Sequence, residues 1–349
     1  MKLLVSALEA SANLHLEPVL QALGEVELCG IFDPRFGAPY LPSSAFSVMG
    51  FLDVVPKIAL AKRAMKALVA LAGEVGHVLL IDSPAFNLPL AKAIKEAHPH
   101  VQITYYILPQ VWAWKAGRAA KVEAYCDNLA SILPFERTWY PKAKFVGHPL
   151  LDEIEEVKTT LTCNEKVAFL PGSRPKEIAR LMPIFKEVAK SLDKEALLVI
   201  PPFIEPERIG ELYGDITGFT PVFHTHKALL QSDFAFVCSG TATLEAALVG
   251  VPFVLAYRAH WLDFAIAKRF VKLPYVGLAN VILHFMGKEA LHEELLQDEV
   301  CASALLEAYH RMDGARFFAH SRLLAKLLGH GSAQSVAQMI QPEGKIDAV

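Results

Sequence analysis

Two stretches of the chain carry residues suited to holding an anion. Val167-Ala-Phe-Leu170 reads as a buried parallel strand, and Pro171-Gly172-Ser173-Arg174 as a tight turn feeding a helix from about Pro175. A strand that enters a helix through a Gly-containing turn gathers unpaired backbone N–H groups at the positive end of the helix dipole. Arg174 adds a planar fork for two phosphate oxygens. The pattern recurs after Phe234-Ala-Phe-Val-Cys238, where Ser239, Gly240 and Thr241 open a second helix. Glu245 lies four residues beyond Thr241, off the spacing of a capping box, and a carboxylate there could accept both hydroxyls of a ribose. Read together, the two turns form a diphosphate cradle for a nucleotide-activated substrate. Read singly, each is also an ordinary strand-to-helix turn, the first with a surface arginine.

A second group of residues suits proton transfer and substrate contact. Asp82 ends the apolar run Val78-Leu-Leu-Ile81, at the strand end where α/β enzymes place catalytic groups, and could take a proton from an attacking hydroxyl. Asp82 or Ser83 reads equally well as an N-cap with Pro84 at the first helical position; Asn87 closes the same stretch. Glu9, Ser11 and Asn13 follow the first strand, either as a substrate loop or as a helix start. Trp112 and Trp114, with Arg118 and Lys121 at helical spacing beyond them, offer aromatic faces for a sugar or acyl chain and cations for a phosphate, or else two core tryptophans. His148, just before a change in composition, reads as a substrate contact or as a structural histidine.

These side chains need alternating strands and helices to position them. Strands are expected at Lys2–Ser6, Val78–Asp82, Gln102–Ile107, Asn128–Ile132, Val167–Leu170, Ala196–Ile200, Phe234–Cys238 and Phe253–Tyr257. Helices are expected at Leu88–Ala97, Pro183–Ser191, Thr243–Val249 and His260–Phe270. Such alternation implies parallel sheets covered on both faces. The charged, Thr-rich stretch Asp152–Asn164 marks a boundary, giving domains over 1–155 and 156–330 and a tail over 331–349. A helix from Pro56 carries Ile58, Ala61, Met65, Leu68, Val69 and Ala72 on one face, flanked by Lys62, Arg63 and Lys66. It reads as a helix lying on an anionic membrane or as a core-facing helix with a basic edge.

At 349 residues and 53% hydrophobic content the chain has ample core for two domains. A net charge of −3 and a pI near 6.5 give no basic field for nucleic acid. The mean hydropathy of +0.31 is high, yet no apolar run reaches the roughly 18 residues of a membrane span. The five cysteines are singletons, which argues against disulfides or a Cys-based zinc site and fits a reducing cytosol.

Taken in order, these motifs resemble the lipid-A-disaccharide synthase family of inverting sugar transferases, from the first strand to about Gln297. The most specific parts are Val111-Trp-Ala-Trp114, Leu133-Pro-Phe-Glu136, Gly147-His-Pro149, Leu170-Pro-Gly-Ser-Arg174, and Ser239-Gly-Thr241 with Glu245; Asn280 and Leu295-Leu-Gln297 also match. The resemblance implies an α/β fold of GT-B architecture, two Rossmann-like doubly wound domains facing a cleft. It also implies transfer of a 2,3-diacylglucosamine unit from UDP-2,3-diacylglucosamine to 2,3-diacylglucosamine 1-phosphate, without a metal or other cofactor. Asp82 would be the general base, Gly172, Ser173, Arg174, Ser239, Gly240, Thr241 and Glu245 the UDP-binding residues, and Glu9, Ser11, Asn13, Asn87, Trp112, Trp114, His148 and Asn280 the residues near the acceptor. The family docks peripherally to the inner face of the inner membrane of Gram-negative bacteria, through the region that Ile58–Val69 occupies here. It also implies a last segment that returns to the first domain, and is compatible with a homodimer. Two departures stand out: Leu8, Ala12 and Asn13 replace Gly, Gly and Asp of the family's first loop, and Ala85 replaces a second Asp after Asp82. The rival readings are a UDP-sugar epimerase of the same fold and a non-catalytic UDP-sugar-binding membrane module.

Overall fold

A computed structural model describes residues 1–47, 54–161, 163–259 and 273–341, the side chains of 47 and 54–58 excepted. The expected helix over His260–Phe270 and the side chain of Ile58 therefore lie outside the described residues. The chain divides into two compact units. One is Met1–Asp152 together with the segment from Leu328 onward; the other is Glu153–Leu327.

The first unit holds a seven-stranded sheet: β1 (Lys2–Ser6), β2 (Glu27–Phe32), β3 (Leu41–Pro42), β4 (His77–Ile81), β5 (Gln102–Tyr106), β6 (Asn128–Ser131) and β7 (Lys144–Phe145). Every neighbouring pair is parallel, in the order β3-β2-β1-β4-β5-β6-β7. Successive side chains of a strand face opposite sides of the sheet. Leu3, Val5, Leu79 and Ile81 accordingly enter one apolar cluster and Leu4, Val78 and Leu80 another. Burial on both faces is why the central strands read as unbroken apolar runs.

The second unit holds β8 (Lys166–Leu170), β9 (Glu195–Val199), β10 (Phe219–Val222), β11 (Phe234–Cys238), β12 (Phe253–Tyr257) and β13 (Glu293–Leu296). Their order is β10-β9-β8-β11-β12-β13, again all parallel. Both sheets reverse strand order once, between β1 and β4 in the first and between β8 and β11 in the second. In doubly wound sheets the crevice beyond the carboxyl ends of the strands at such a reversal is where ligands bind.

Two features bear on the sequence reading. The final segment is not a separate tail but returns to the first unit, as the resemblance implies. The helix Ser332–Ile340 places Val336 and Ile340 in the same cluster as Leu3, Val5 and Ile81, so it completes the core of the first unit. Asp152 caps that helix, its Oδ2 accepting from Ser332 N at 2.8 Å and Ser332 Oγ at 2.7 Å and its Oδ1 from Gly331 N at 2.7 Å. The helix Val54–Ala72 agrees with the core-facing alternative over its described side chains: Ala64, Leu68 and Ala72 are fully buried in the first unit's core, with Ala61, Met65 and Val69 packed against it. Lys62, Arg63 and Lys66 are exposed, as are Ala59 and Ala70. Among the described residues, no helix is long and apolar enough to cross a membrane.

Candidate active site

In the second unit, β8 runs into Pro171-Gly172-Ser173-Arg174 and then the helix Pro175–Ser191; β11 runs into Ser239-Gly240 and the helix Thr241–Val249. Both turns line one cavity of about 270 Å³. Gly172 adopts φ 100°, and a Cβ there would lie 2.7 Å from Glu177 Oε2, so this turn needs glycine for its backbone and for the close approach of the acid beneath it. Gly172, Ser173, Arg174, Ser239, Gly240, Thr241 and Glu245 are thus brought together.

Charge in this cavity is mixed. The Arg174 side chain is 77% exposed and pairs with Glu177 at 2.7 Å, Nη1 to Oε1. Glu177 went unassigned in the sequence, although it stands three residues after Arg174, on the same helix face. Burial, followed by the neighbouring Glu153 charge, pushes the Glu245 carboxyl up to about 7. Near neutrality it is therefore in part protonated.

In the first unit, β4 delivers Asp82 and Ser83 to the start of the helix Pro84–Ala97. Both have left-handed backbones, φ 49° and 46°, which for non-glycine residues costs on the order of 1 kcal/mol each. Buried groups hold the turn. Asn87 Nδ2 donates to Asp82 O at 2.8 Å and Ile81 O at 3.1 Å, Tyr105 Oη donates to Asp82 O at 2.8 Å, and Ser6 Oγ donates to Asn87 Oδ1 at 2.6 Å. Burial, then the charge of Glu9, raises the Asp82 carboxyl above the ordinary aspartate range, making it a better base. Beside it opens a cavity of about 600 Å³ lined by Leu8, Glu9, Phe46, Ser83, Phe86 and Arg118 among others. Asp82 does not itself line this cavity; its neighbours Ser83 and Glu9 do, with Ser83 Oγ 3.4 Å from Glu9 Oε1.

Four residues expected near the acceptor are buried with their polar groups committed to the fold. Asn13 donates to Ala7 O and Glu9 O and accepts from Asp33 N. Asn87 braces the Asp82 turn as described. His148 accepts from Leu150 N at its Nδ1, its backbone N–H donates to Gly329 O, and burial lowers its pKa to about 3. Asn280 bonds His292 O, Glu294, Leu291 N and His292 N. Neither Ser11 nor Asn13 caps the helix Ala10–Leu23; Glu9 is its N-cap residue, without a side-chain bond to the helix.

The two tryptophans part company. Trp114 is 43% exposed with Lys115 Nζ 3.9 Å above its ring. Trp112 is half-buried, its Nε1 donating to Glu136 Oε1 at 3.3 Å and its ring edge-on to Phe135 at 5.5 Å. Glu136 is a buried acid that the motif Leu133-Pro-Phe-Glu136 displayed without showing what it did. Ser131 Oγ donates to its Oε2 at 2.6 Å. The two motifs thus clamp each other beyond the carboxyl ends of β5 and β6.

Two all-parallel doubly wound sheets, each with candidate site residues beyond its strand-order reversal, are the architecture of the GT-B class. CalG4, the calicheamicin glycosyltransferase, superposes with a TM-score of 0.58 at 15% identity, covering 99% of each chain. A putative UDP-N-acetylglucosamine 2-epimerase from Listeria monocytogenes superposes with the same TM-score at 12% identity, covering 97% of this chain and 95% of that one. Likeness at these identities is one of fold. The family model for lipid-A-disaccharide synthetase matches residues 3–313. The lipid-A-disaccharide synthase of Campylobacter jejuni strain RM1221 is 50% identical over 97% of this chain and 98% of its own. That of Helicobacter pylori strain G27 is 48% identical over 96% of each. The chain belongs to the lipid-A-disaccharide synthase family.

Proposed function

We propose that the protein transfers 2,3-diacylglucosamine from UDP-2,3-diacylglucosamine to 2,3-diacylglucosamine 1-phosphate, with inversion, giving the lipid A disaccharide 1-phosphate and UDP. The observation that carries this is Asp82, a carboxyl made more basic by burial on a braced, strained turn beside an apolar-walled cavity. Asp82 takes the proton of the acceptor's 6-hydroxyl as its oxygen attacks the anomeric carbon, and the bond from that carbon to the β-phosphate oxygen breaks with its electron pair. The N–H groups of the two turns and Arg174 receive the diphosphate charge, a role that needs no metal. Glu177 holds Arg174 until the diphosphate displaces it. Lys62, Arg63 and Lys66 form a solvent-facing basic edge that docks the protein electrostatically on the anionic inner face of the inner membrane.

The test is mass spectrometry of the product from the two lipid precursors, with and without a chelator. Disaccharide phosphate should form in both cases, and Asp82→Asn should lower kcat by ~10²–10⁴ while UDP still binds. Folded protein that makes no disaccharide, or that instead turns over UDP-N-acetylglucosamine alone to its epimer, ends the transferase reading.

A further inference from the structure

Arg118 is the cation of the first unit's cavity. It opens the helix Arg118–Tyr125, is half-buried, and lines the 600 Å³ cavity. Among the described residues its guanidinium has no carboxylate partner; Arg180 and Arg322 also lack one, but their guanidinium groups bond the backbone carbonyls of Arg258 and Lys158. A guanidinium partly withdrawn from water and left unpaired is costly unless an anion completes it. The cavity's remaining wall narrows what that anion belongs to. Leu8, Phe46 and Phe86 make an apolar side, with Phe46 and Phe86 edge-to-face at 5.7 Å. Ser83 and Glu9 make a polar side next to Asp82. Such a wall fits an amphiphile with a hydroxyl to be activated and an anionic head.

The loop leading to Arg118 is held rigidly enough to aim it. Ile107 and Lys115 take left-handed backbones, at φ 62° and 56°. Tyr140 Oη donates to Pro109 O at 2.7 Å, Trp112 is fixed by Glu136, and Arg118 N donates to Lys115 O at 2.9 Å. Ser83, the residue after Asp82, lines the same cavity as Arg118.

We propose that Arg118 receives the phosphate of the acceptor and so makes the enzyme select a phosphorylated sugar lipid over its phosphate-free counterpart. This rests on the reading of the first unit as the acceptor site. The donor's diphosphate has its own guanidinium in Arg174; the planar fork of Arg118 suits two oxygens of a phosphate monoester.

The test measures kcat/KM for 2,3-diacylglucosamine 1-phosphate and for 2,3-diacylglucosamine, in the wild type and in Arg118→Ala, Arg118→Gln and Arg118→Lys. The wild type should prefer the phosphorylated acceptor by ~10–100-fold, the worth of a charge-assisted hydrogen-bonded pair. Arg118→Ala and Arg118→Gln should bring that ratio toward one, chiefly through the acceptor KM, with the KM for the UDP-sugar unmoved; Arg118→Lys should retain part of it. Melting curves identify any variant that fails to fold, and the ratio is then read from the other two. A wild type without the preference, or variants that keep it while losing activity on both acceptors alike, overturns the assignment and leaves the transferase intact. A wild type inactive on both acceptors overturns the transferase reading and this inference together.

Discussion

Glu136 offers the sharpest physical test. It is 1% exposed, with no cation paired to it among the described residues. Ser131 and Trp112 donate to its carboxylate, and the backbone N–H groups of Leu133 and Ile132 also favour its charged form; burial outweighs all four and lifts the group from 4.5 to about 7. The folded chain therefore keeps this proton over a range where the unfolded chain has lost it. Because the native state binds more protons there, stability falls as pH rises from the unfolded value to the folded one, and the full loss is present above about 7. At ~1.4 kcal/mol per pH unit between the two titrations, the penalty is about 3 kcal/mol. Glu136→Gln removes the titration while keeping the shape. Urea unfolding between about pH 4 and about pH 8, followed by tryptophan emission, gives stability against pH for both proteins. The difference should drift by about 3 kcal/mol in favour of the variant as pH rises. Other groups that titrate in this range, Glu245 among them, are common to both proteins and cancel in the difference. Parallel profiles would show that the carboxyl is ionised in the fold across the range, and the argument from burial would be refuted.

Three further outcomes follow from the same geometry. Glu245 accepts ribose hydroxyls better when ionised, so UDP affinity measured by calorimetry should gain as pH rises through about 7 relative to Glu245→Gln; a difference flat with pH counts against its ribose role. Asp152→Ala removes the cap of the helix Ser332–Ile340 and should cost ~1–2 kcal/mol in urea unfolding; an unchanged midpoint would mean that the helix does not depend on its cap. Reversing the charges of Lys62, Arg63 and Lys66 should abolish flotation with anionic vesicles and leave neutral vesicles unaffected, because Met65, Leu68 and Val69 of that helix pack in or against the core; retained flotation would place the docking surface elsewhere.

The strands visible in the sequence are those buried on both faces, β1, β4, β5, β6, β8, β9, β11 and β12, each within a residue of its expected bounds at either end. Those missed include edge strands with little hydrophobic signal. β10 contains Pro221, β13 begins with Glu293 and Glu294, and β3 and β7 are two residues long. The strand-to-helix turns were legible because Gly172, Gly240 and Asp82 stand where a strand must end. What could not be read was direction. Asn13, Asn87, His148 and Asn280 look the same in a sequence whether they face a substrate or bind backbone, and only the tertiary register turns them inward. The stripe Met65, Leu68 and Val69 has the period that either a core or a membrane would demand. Arg118 was visible as a cation, but that it lines the cavity with no carboxylate partner among the described residues is a fact of three dimensions.

The two halves use one topology for opposite electrostatic ends. In the second unit the loops at the strand-order reversal are opened by Gly172 and Gly240, so backbone donors and two helix N-termini face the cavity and favour negative charge there. At the equivalent point of the first unit no glycine stands in the turn. Asp82 and Ser83 adopt left-handed backbones against their preference, and the strain is offset by Asn87 and Tyr105, which hold the Asp82 carbonyl from beneath, with Ser6 fixing the Asn87 amide. A glycine at either position would relax the backbone and remove a side chain, the carboxyl at 82 or the hydroxyl at 83 that meets Glu9. A site that binds a leaving diphosphate can be built from backbone alone, whereas a site that removes a proton needs a side chain at the tip of the turn. In the proposed reaction the fully buried amide of Asn87 holds the backbone carbonyl of the residue that carries the carboxyl, and so fixes the tip of the turn from beneath.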